Sequence, residues 1–227
     1  MSNQSKTYRQ LATLVDREKS YEPQEAFGLL KQLAKAKFDE TVDCVFRLGI
    51  DAKKSDQQVR GTVSLPHGTG KSVRVAVIAS GELAKQAKEA GADLVGEDDL
   101  IGEIQKGNMA FDILVAHPNM MSKVGRLGKL LGPRGLMPTP KSGTVAPDVA
   151  KAVKEFKAGK IEYKTDKQGN VHTVIGKASF TAEQLLGNFT VVLEAVRKAK
   201  PASAKGIYLK KVTISPTMGP SIRLSVN

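Results

Sequence analysis

The chain has 227 residues, of which 41% are hydrophobic and 26% charged. This composition predicts one or two globular domains and excludes wholesale disorder, collagen and a coiled coil. The longest apolar runs are far shorter than the roughly 20 residues that a bilayer crossing requires, so we expect no membrane span. Lys and Arg total 35 against 23 Asp and Glu, a net charge of +12, which makes a polyanion the first candidate partner and an anionic membrane surface the second.

Cysteine and histidine usage argues against a stabilising metal or disulfide. A single cysteine, Cys44, cannot form an internal disulfide, and the three histidines show no metal-ligand spacing. We therefore expect no metal and a reducing, cytoplasmic setting. Aromatic residues are only 5% of the chain and tryptophan is absent, which argues against binding single strands through many stacked bases.

The first third of the chain combines a helical pattern with two strand patterns. Apolar residues recur at helical spacing from Gln24 to Ala36, directly after Pro23. Strict alternation over 42–50 and again over 59–65 predicts two half-buried antiparallel strands.

The middle of the chain alternates short apolar runs with helical patterns. Runs over 73–79 and 112–116 predict strands, and 82–90, 120–131 and 147–157 predict helices, with a further helix beginning at Asp98. Strands that alternate with helices indicate a parallel sheet covered on both faces. This part resembles a small Rossmann-like unit.

The last third returns to strand patterns. Strands over 161–165 and 171–175 flank a turn-forming segment and predict a hairpin. Thr181 and Gln184 form a capping box that predicts the start of a helix, and 207–215 with 221–226 predict a closing strand pair.

These patterns predict a mixed fold of α/β and α+β type with two domains. Residues 1–66 and 160–227 would form a discontinuous α+β domain, and residues 67–159 an inserted, three-layer Rossmann-like α/β domain. Three small consecutive units are the alternative.

Positive charge is concentrated towards the end of the chain. No acidic residue follows Glu194, whereas seven basic residues do, a distribution typical of a phosphate-binding surface. A second acid-free stretch carries residues that could make a secondary phosphate contact or simply form an ordinary cationic helix face and a structural loop: Lys123, Arg126, Lys129 and Arg134.

Nucleotide-binding motifs are incomplete. The segment Gly68–Ser72 resembles part of a P-loop, but Leu65 stands where that motif needs glycine, and the segment precedes a strand instead of following one. The first strand of the middle domain also lacks the glycine-rich turn of dinucleotide sites. We therefore predict no cofactor and no enzymatic activity, with a nucleotide-dependent enzyme and a protein-binding scaffold as rival hypotheses.

Two short segments are candidates for contact with RNA. In Thr217-Met218-Gly219 glycine permits close approach, threonine supplies a donor and an acceptor, and methionine offers a soft apolar surface, although an ordinary turn has the same residues. Phe38 follows Lys37 at a helix end, where it could face RNA or pack in the core.

Several motifs together resemble one known family, that of bacterial ribosomal protein one of the large subunit. The resemblance covers nearly the whole chain and rests on the segments 37–42, 48–51, 60–70, 131–140 and 217–219. It implies that both chain ends form an RNA-binding domain, with the inserted domain swinging on a two-strand hinge. It also implies a non-enzymatic, monomeric protein that joins the large subunit in the cytoplasm, without cofactor or membrane contact.

The resemblance further implies particular partners and contact residues. The partners are the mobile stalk of large-subunit ribosomal RNA, the transfer RNA that leaves from the adjacent exit site, and the messenger of the protein's own operon, whose translation it represses. In this chain, Pro216 stands where the family pattern has threonine. The family's RNA contacts correspond here to Lys37, Phe38, Thr41, Thr217, Met218 and Gly219, and further to His172, Gly176, Lys177 and Ser179.

Overall fold

A computed structural model describes residues 5–226. Its chain divides into two compact units, one built from the residues up to Gly70 and from Ile161 onwards, the other from Lys71–Lys160. In chain order the helices are α1 (Lys6–Ala12), α2 (Pro23–Leu33), α3 (Glu82–Glu89), α4 (Asp98–Gln105), α5 (Met121–Gly125), α6 (Gly128–Leu131), α7 (Val149–Lys157) and α8 (Ala182–Lys198). The strands are β1 (Thr41–Leu48), β2 (Arg60–Ser64), β3 (Val75–Ile78), β4 (Leu94–Gly96), β5 (Ile113–Ala116), β6 (Lys160–Lys164), β7 (Asn170–Lys177), β8 (Leu209–Pro216) and β9 (Ile222–Leu224).

The terminal unit is built on an antiparallel sheet with the order β7-β1-β8-β9. Alternate residues of β1 are fully or almost fully buried, and they pack with the apolar sides of α2 and α8 in one core. Phe189 of α8 stacks on Phe46 of β1 and meets Phe27 of α2 edge to face. Because both helices cover the same face of the sheet, its other face is left open and carries polar side chains.

The predicted strands form, but two of the predicted pairings are wrong. β1 does not pair with β2, and β6 does not form a hairpin ladder with β7. Instead β2 and β6 make a separate two-stranded sheet, and the segments of β6 and β7 are joined by an isolated bridge between Thr165 and Val171 and by hydrogen bonds between Asp166 and Asn170. Alternation identifies a half-buried strand but carries no information about its partner.

The inserted unit has a parallel sheet with the order β4-β3-β5. All four residues of β3 are buried, because α4, α5 and α6 pack on one face of the sheet and α3 and α7 on the other. This three-layer arrangement confirms the Rossmann-like prediction. Strand β4 was not predicted, since its three residues are too few to establish a pattern.

The helix predicted over 120–131 is interrupted. A 3₁₀ turn (Pro118–Met120) leads into α5, and α6 begins only at Gly128 after a break at Arg126 and Leu127. Gly125 and Gly128 flank the break, and glycine is the least helix-favouring residue after proline. Within residues 5–226 no helix has both the length and the hydropathy to span a bilayer.

Candidate nucleic-acid interface

Three chain segments meet at one end of the main sheet, where β1 begins and β7 and β8 end. They are the α2–β1 connection, the segment after β7 and the turn that follows β8. The Thr41 N–H donates to the Thr217 hydroxyl oxygen (3.0 Å), and that hydroxyl donates to the Thr41 carbonyl (3.2 Å). Thr217 therefore fixes the turn to the first residue of β1. We call this region the three-segment cluster, comprising residues 36–41, 177–179 and 216–219.

Glu40 holds the cluster together. Its side chain is only 1% exposed, and its two carboxylate oxygens accept hydrogen bonds from the backbone N–H groups of Ala36 (2.9 Å) and Met218 (2.8 Å). Its own carbonyl accepts from the N–H of Ala178 (2.8 Å). The residue thus links all three segments. Sequence reasoning missed it, although a carboxylate directly before an alternating strand, inside a family motif, was a usable signal.

Asp39 and Lys177 add a second layer of contacts. The Asp39 carboxylate accepts from both the N–H (3.0 Å) and the hydroxyl (2.8 Å) of Ser179. Lys177 donates to the Thr41 hydroxyl (2.9 Å) and to the Asp39 carbonyl (3.4 Å). The structure therefore brings Thr41, Lys177, Ser179 and Thr217 together, and their contact with RNA stays a prediction.

Two large apolar side chains project from the cluster into solvent. Phe38 is 55% exposed and Met218 62% exposed, and both line a surface groove together with Lys35 and Lys37. The alternative that Phe38 belongs to the core is therefore wrong. Exposed apolar side chains that share a groove with lysines suit a ligand that has both flat apolar faces and negative charge.

Packing within the protein accounts for the need for glycine at both predicted contact positions, Gly176 and Gly219. A Cβ on Gly219 would lie 2.6 Å from Cγ of Pro216 and 3.3 Å from the carbonyl oxygen of Leu33. Gly176 has φ +154° beside a bulge in the β1–β7 ladder, and a Cβ there would lie 2.8 Å from Leu185. A direct RNA contact by either residue stays a prediction.

His172 lies apart from the three-segment cluster. It faces Val45 in the β1–β7 ladder, whereas Lys177 faces Thr41, about 13 Å further along β1. The histidine is exposed, and its Nε2 lies 3.5 Å from the Asp166 carboxylate. Burial raises the pKa of Asp166, but hydrogen bonds from Asn170, Gln168 and His172 outweigh it and lower the pKa to about 2.

Between these positions Asp43 occupies the open sheet face. Burial raises its pKa, and the nearby positive charges of His172 and Lys177 offset that rise only in part. The open face therefore presents a weakened acid between two basic side chains.

Comparison with known proteins decides the family. The model of the ribosomal protein L1p/L10e family matches residues 30–220, a range that includes all three segments of the cluster and the whole inserted unit. The chain belongs to the ribosomal protein L1p/L10e family. It is 55% identical over 223 residues to large ribosomal subunit protein uL1 of Thermobifida fusca (strain YX), a match that covers 98% of this chain and 95% of that protein.

Membership of the L1p/L10e family settles the class of function. The family consists of structural, non-enzymatic ribosomal proteins, so the rival hypothesis of a nucleotide-dependent enzyme is wrong. Within residues 5–226 no group of three or more His, Cys, Asp or Glu side chains could hold a metal ion.

The four predicted secondary contacts of this L1p/L10e chain lie in its inserted unit. Lys123 is paired with Asp98 (2.8 Å) and Glu97 (3.6 Å), and the hydrogen bond that its ammonium group donates to the Asp98 carboxylate raises the lysine pKa. Arg126, Lys129 and Arg134 are exposed. Because the helix breaks between Lys123 and Lys129, the first three residues do not form the single helical stripe that their spacing predicted, and Arg134 lies in the loop after α6.

Proposed function

We propose that this protein is a constituent of the large ribosomal subunit of the cytoplasmic ribosome and binds the mobile stalk of its ribosomal RNA. Residues 1–66 and 160–227 would form the RNA-binding domain, and residues 67–159 the inserted domain. The observation that carries the proposal is the three-segment cluster. Its segments are fixed by hydrogen bonds to the buried Glu40 carboxylate, while the side chains of Phe38 and Met218 remain exposed to solvent.

Binding would divide between apolar and ionic contacts. Phe38 and Met218 supply surfaces on which an unstacked base or a ribose can lie, and each base stacked on an aromatic ring contributes about 1–3 kcal/mol. Lys35 and Lys37 lie on the same groove and would neutralise phosphates, which fixes the RNA in position without reading its sequence. Specificity would then come from the shape of a folded RNA junction.

One finer role uses the inserted domain, and the other uses the three-segment cluster. By moving as a rigid body on the two connections to the terminal unit, the inserted domain would guide deacylated transfer RNA out of the exit site. A messenger from the protein's own operon that folds into the same junction would compete with ribosomal RNA for the cluster. Binding there would repress translation of that messenger.

The decisive experiment measures binding of a fluorescently labelled stalk RNA fragment to the full chain and to a Phe38→Ala/Met218→Ala variant. We expect wild-type protein to bind with a Kd at least about tenfold lower than that of the variant, because stacking is lost while exposed side chains contribute little to stability. The matched control is Ile207→Ala, which truncates an apolar residue that is 76% exposed outside the cluster. Equal affinities of all three proteins, or no binding by wild type, would refute the proposal.

A competition arm tests the messenger. An unlabelled fragment of the operon leader should displace the stalk RNA from wild-type protein at stoichiometric occupancy. Simultaneous binding of both RNAs would contradict a shared site.

A further inference from the structure

A second site in the terminal unit carries positive charge that neighbouring acidic side chains do not neutralise. A pocket of about 300 Å³ lies where the segment after α1 meets β8 and β9. Its lining includes three cationic and three hydroxyl side chains and no acidic one. We call it the cationic pocket, and its polar lining consists of Tyr8, Arg17, Lys211, Thr213, Ser221 and Arg223.

Strand alternation aims these residues at the open face of the sheet. Val212 and Ile214 are buried in the core, so Lys211 and Thr213 point the other way. Arg223 of β9 is the ladder partner of Thr213 and lies on the same face.

The segment that carries Arg17 is held against β9. The Tyr21 N–H donates to the carbonyl of Arg223 (2.9 Å), and the Tyr21 hydroxyl accepts from the N–H of Asp16 (3.0 Å). These contacts keep Arg17 at the rim of the pocket. Its position is therefore built into the fold.

The charges of the pocket are unbalanced. Across residues 5–226, Arg17, Lys211 and Arg223 make no ion pair with any acidic side chain. The acids next to Arg17 in sequence, Asp16 and Glu18, are outside the lining, and the Asp16 carboxylate accepts from the N–H of Glu18 (2.9 Å). The three cationic side chains repel one another, and an anion bound between them would relieve this repulsion. An anion with several oxygens suits the pocket best, because the two guanidinium groups can form bidentate hydrogen bonds with it.

We propose that the cationic pocket is a second phosphate-binding subsite, which holds the backbone of the same RNA that binds the three-segment cluster; it rests on the proposed function. Lys211 lies six residues before Thr217, about 20 Å along the extended chain, so one folded RNA can reach both. All three cationic residues are exposed, which suits a polymer lying across the surface better than an enclosed small molecule. The chemistry it recognises is the phosphodiester group.

The test compares the salt dependence of stalk RNA binding in three proteins: wild type, Lys211→Gln/Arg223→Gln, and the control Lys85→Gln/Lys88→Gln. The control removes the same charge from exposed positions on α3. Removing a phosphate contact should reduce the slope of log Kd against log salt by about 1 for each residue, so the pocket variant should lose about 2. The control should keep the wild-type slope. Arg17→Gln, which lies outside every strand, should lose about 1 even if the double variant folds poorly.

The outcomes separate this inference from the proposed function. Wild-type protein that fails to bind the fragment would overturn both. Normal binding with an unchanged slope in the pocket variants, or an equal loss in the control, would overturn the cationic pocket alone. Inorganic pyrophosphate at constant ionic strength tests the other source of phosphate. Saturable pyrophosphate binding that the pocket variants lose, with no change in RNA slope, would assign the pocket to free phosphate compounds and overturn our proposal.

Discussion

The substitution Glu40→Gln tests whether the three-segment cluster is held together from inside. Glutamine has nearly the shape of glutamate, but one carboxylate oxygen becomes an NH₂ group. That group would face a backbone N–H, either of Ala36 or of Met218, and two donors cannot bond to each other. One segment is therefore released whichever way the amide turns.

The expected loss of stability follows from these contacts. One hydrogen bond to a charged acceptor disappears, the other becomes neutral, and a backbone N–H at a 1% exposed site is left without a partner. Together these changes should lower the free energy of unfolding by about 2–4 kcal/mol. Since domains are typically stable by about 5–15 kcal/mol, the variant should still fold at 25 °C.

RNA binding should decline by more than this destabilisation explains. Releasing either segment frees Phe38 or Met218 to move, so binding must then restrict a side chain that wild-type protein already holds in place. We expect Kd for stalk RNA to rise at least about tenfold, equivalent to about 1.4 kcal/mol. Charge alone predicts the opposite, since the variant is one unit more positive.

A matched control separates positioning from stability. Val196 is fully buried near the far end of α8, about 20 Å from the start of that helix. Val196→Ala should lower the free energy of unfolding by about 2 kcal/mol, because buried apolar surface is lost and a cavity is left, and it should leave the three-segment cluster unchanged. Urea denaturation and fluorescence anisotropy would be measured on both. If the two variants bind RNA equally well, or if Glu40→Gln is as stable as wild type, our reasoning about Glu40 is wrong.

Three other substitutions test features that the sequence alone did not explain. Gly176→Ala should lower the free energy of unfolding by about 2–4 kcal/mol in urea denaturation, because the new Cβ would clash with Leu185 and because the φ angle at this position favours glycine. Unchanged stability with weaker RNA binding would instead make Gly176 a contact residue. Gly219→Ala should lower the free energy of unfolding by about 1–3 kcal/mol, because the new Cβ would meet the ring of Pro216. When Pro216→Ala is also present, the loss should be about 1 kcal/mol smaller. If a double-mutant cycle finds the same loss with and without Pro216→Ala, another group resists the Cβ. The pKa of Asp166 is lowered to about 2 from its ordinary 3.8, so its contribution to stability is complete above about pH 4 and is lost as pH falls towards 2. The stability difference between wild type and Asp166→Asn should shrink over that range in pH-dependent denaturation, and a constant difference would contradict the assignment.

Features set by neighbouring residues could be predicted from the sequence. The capping box of Thr181 and Gln184 is present as predicted, and the residues predicted to face inward from α8 are buried, because cap and periodicity are local properties. The three-layer α/β unit was also predictable, since fully buried parallel strands appear as short continuous apolar runs.

Features set by distant residues could not be predicted in this way. The ladder partners of β2 and β6 depend on which segments the fold brings together. The role of Glu40 depends on Met218, 178 positions away, whose N–H meets its carboxylate. Exposure of Phe38 was equally undetermined, because a single aromatic residue after a helix has no pattern that distinguishes core from surface.

Acidic residues at a basic binding surface are usually expected to weaken the binding of RNA, because they repel phosphate. Here Asp39 and Glu40 lie at the centre of the proposed interface, yet their carboxylates accept hydrogen bonds from the protein itself. Donor groups that point at a carboxylate offset much of its charge, and the 1% exposed carboxylate of Glu40 is withdrawn from solvent. The acids therefore position the surrounding backbone, while Lys35 and Lys37 determine the charge that faces the RNA. It follows that removing a negative charge from this surface should weaken RNA binding, and that net charge alone is a poor guide to affinity here.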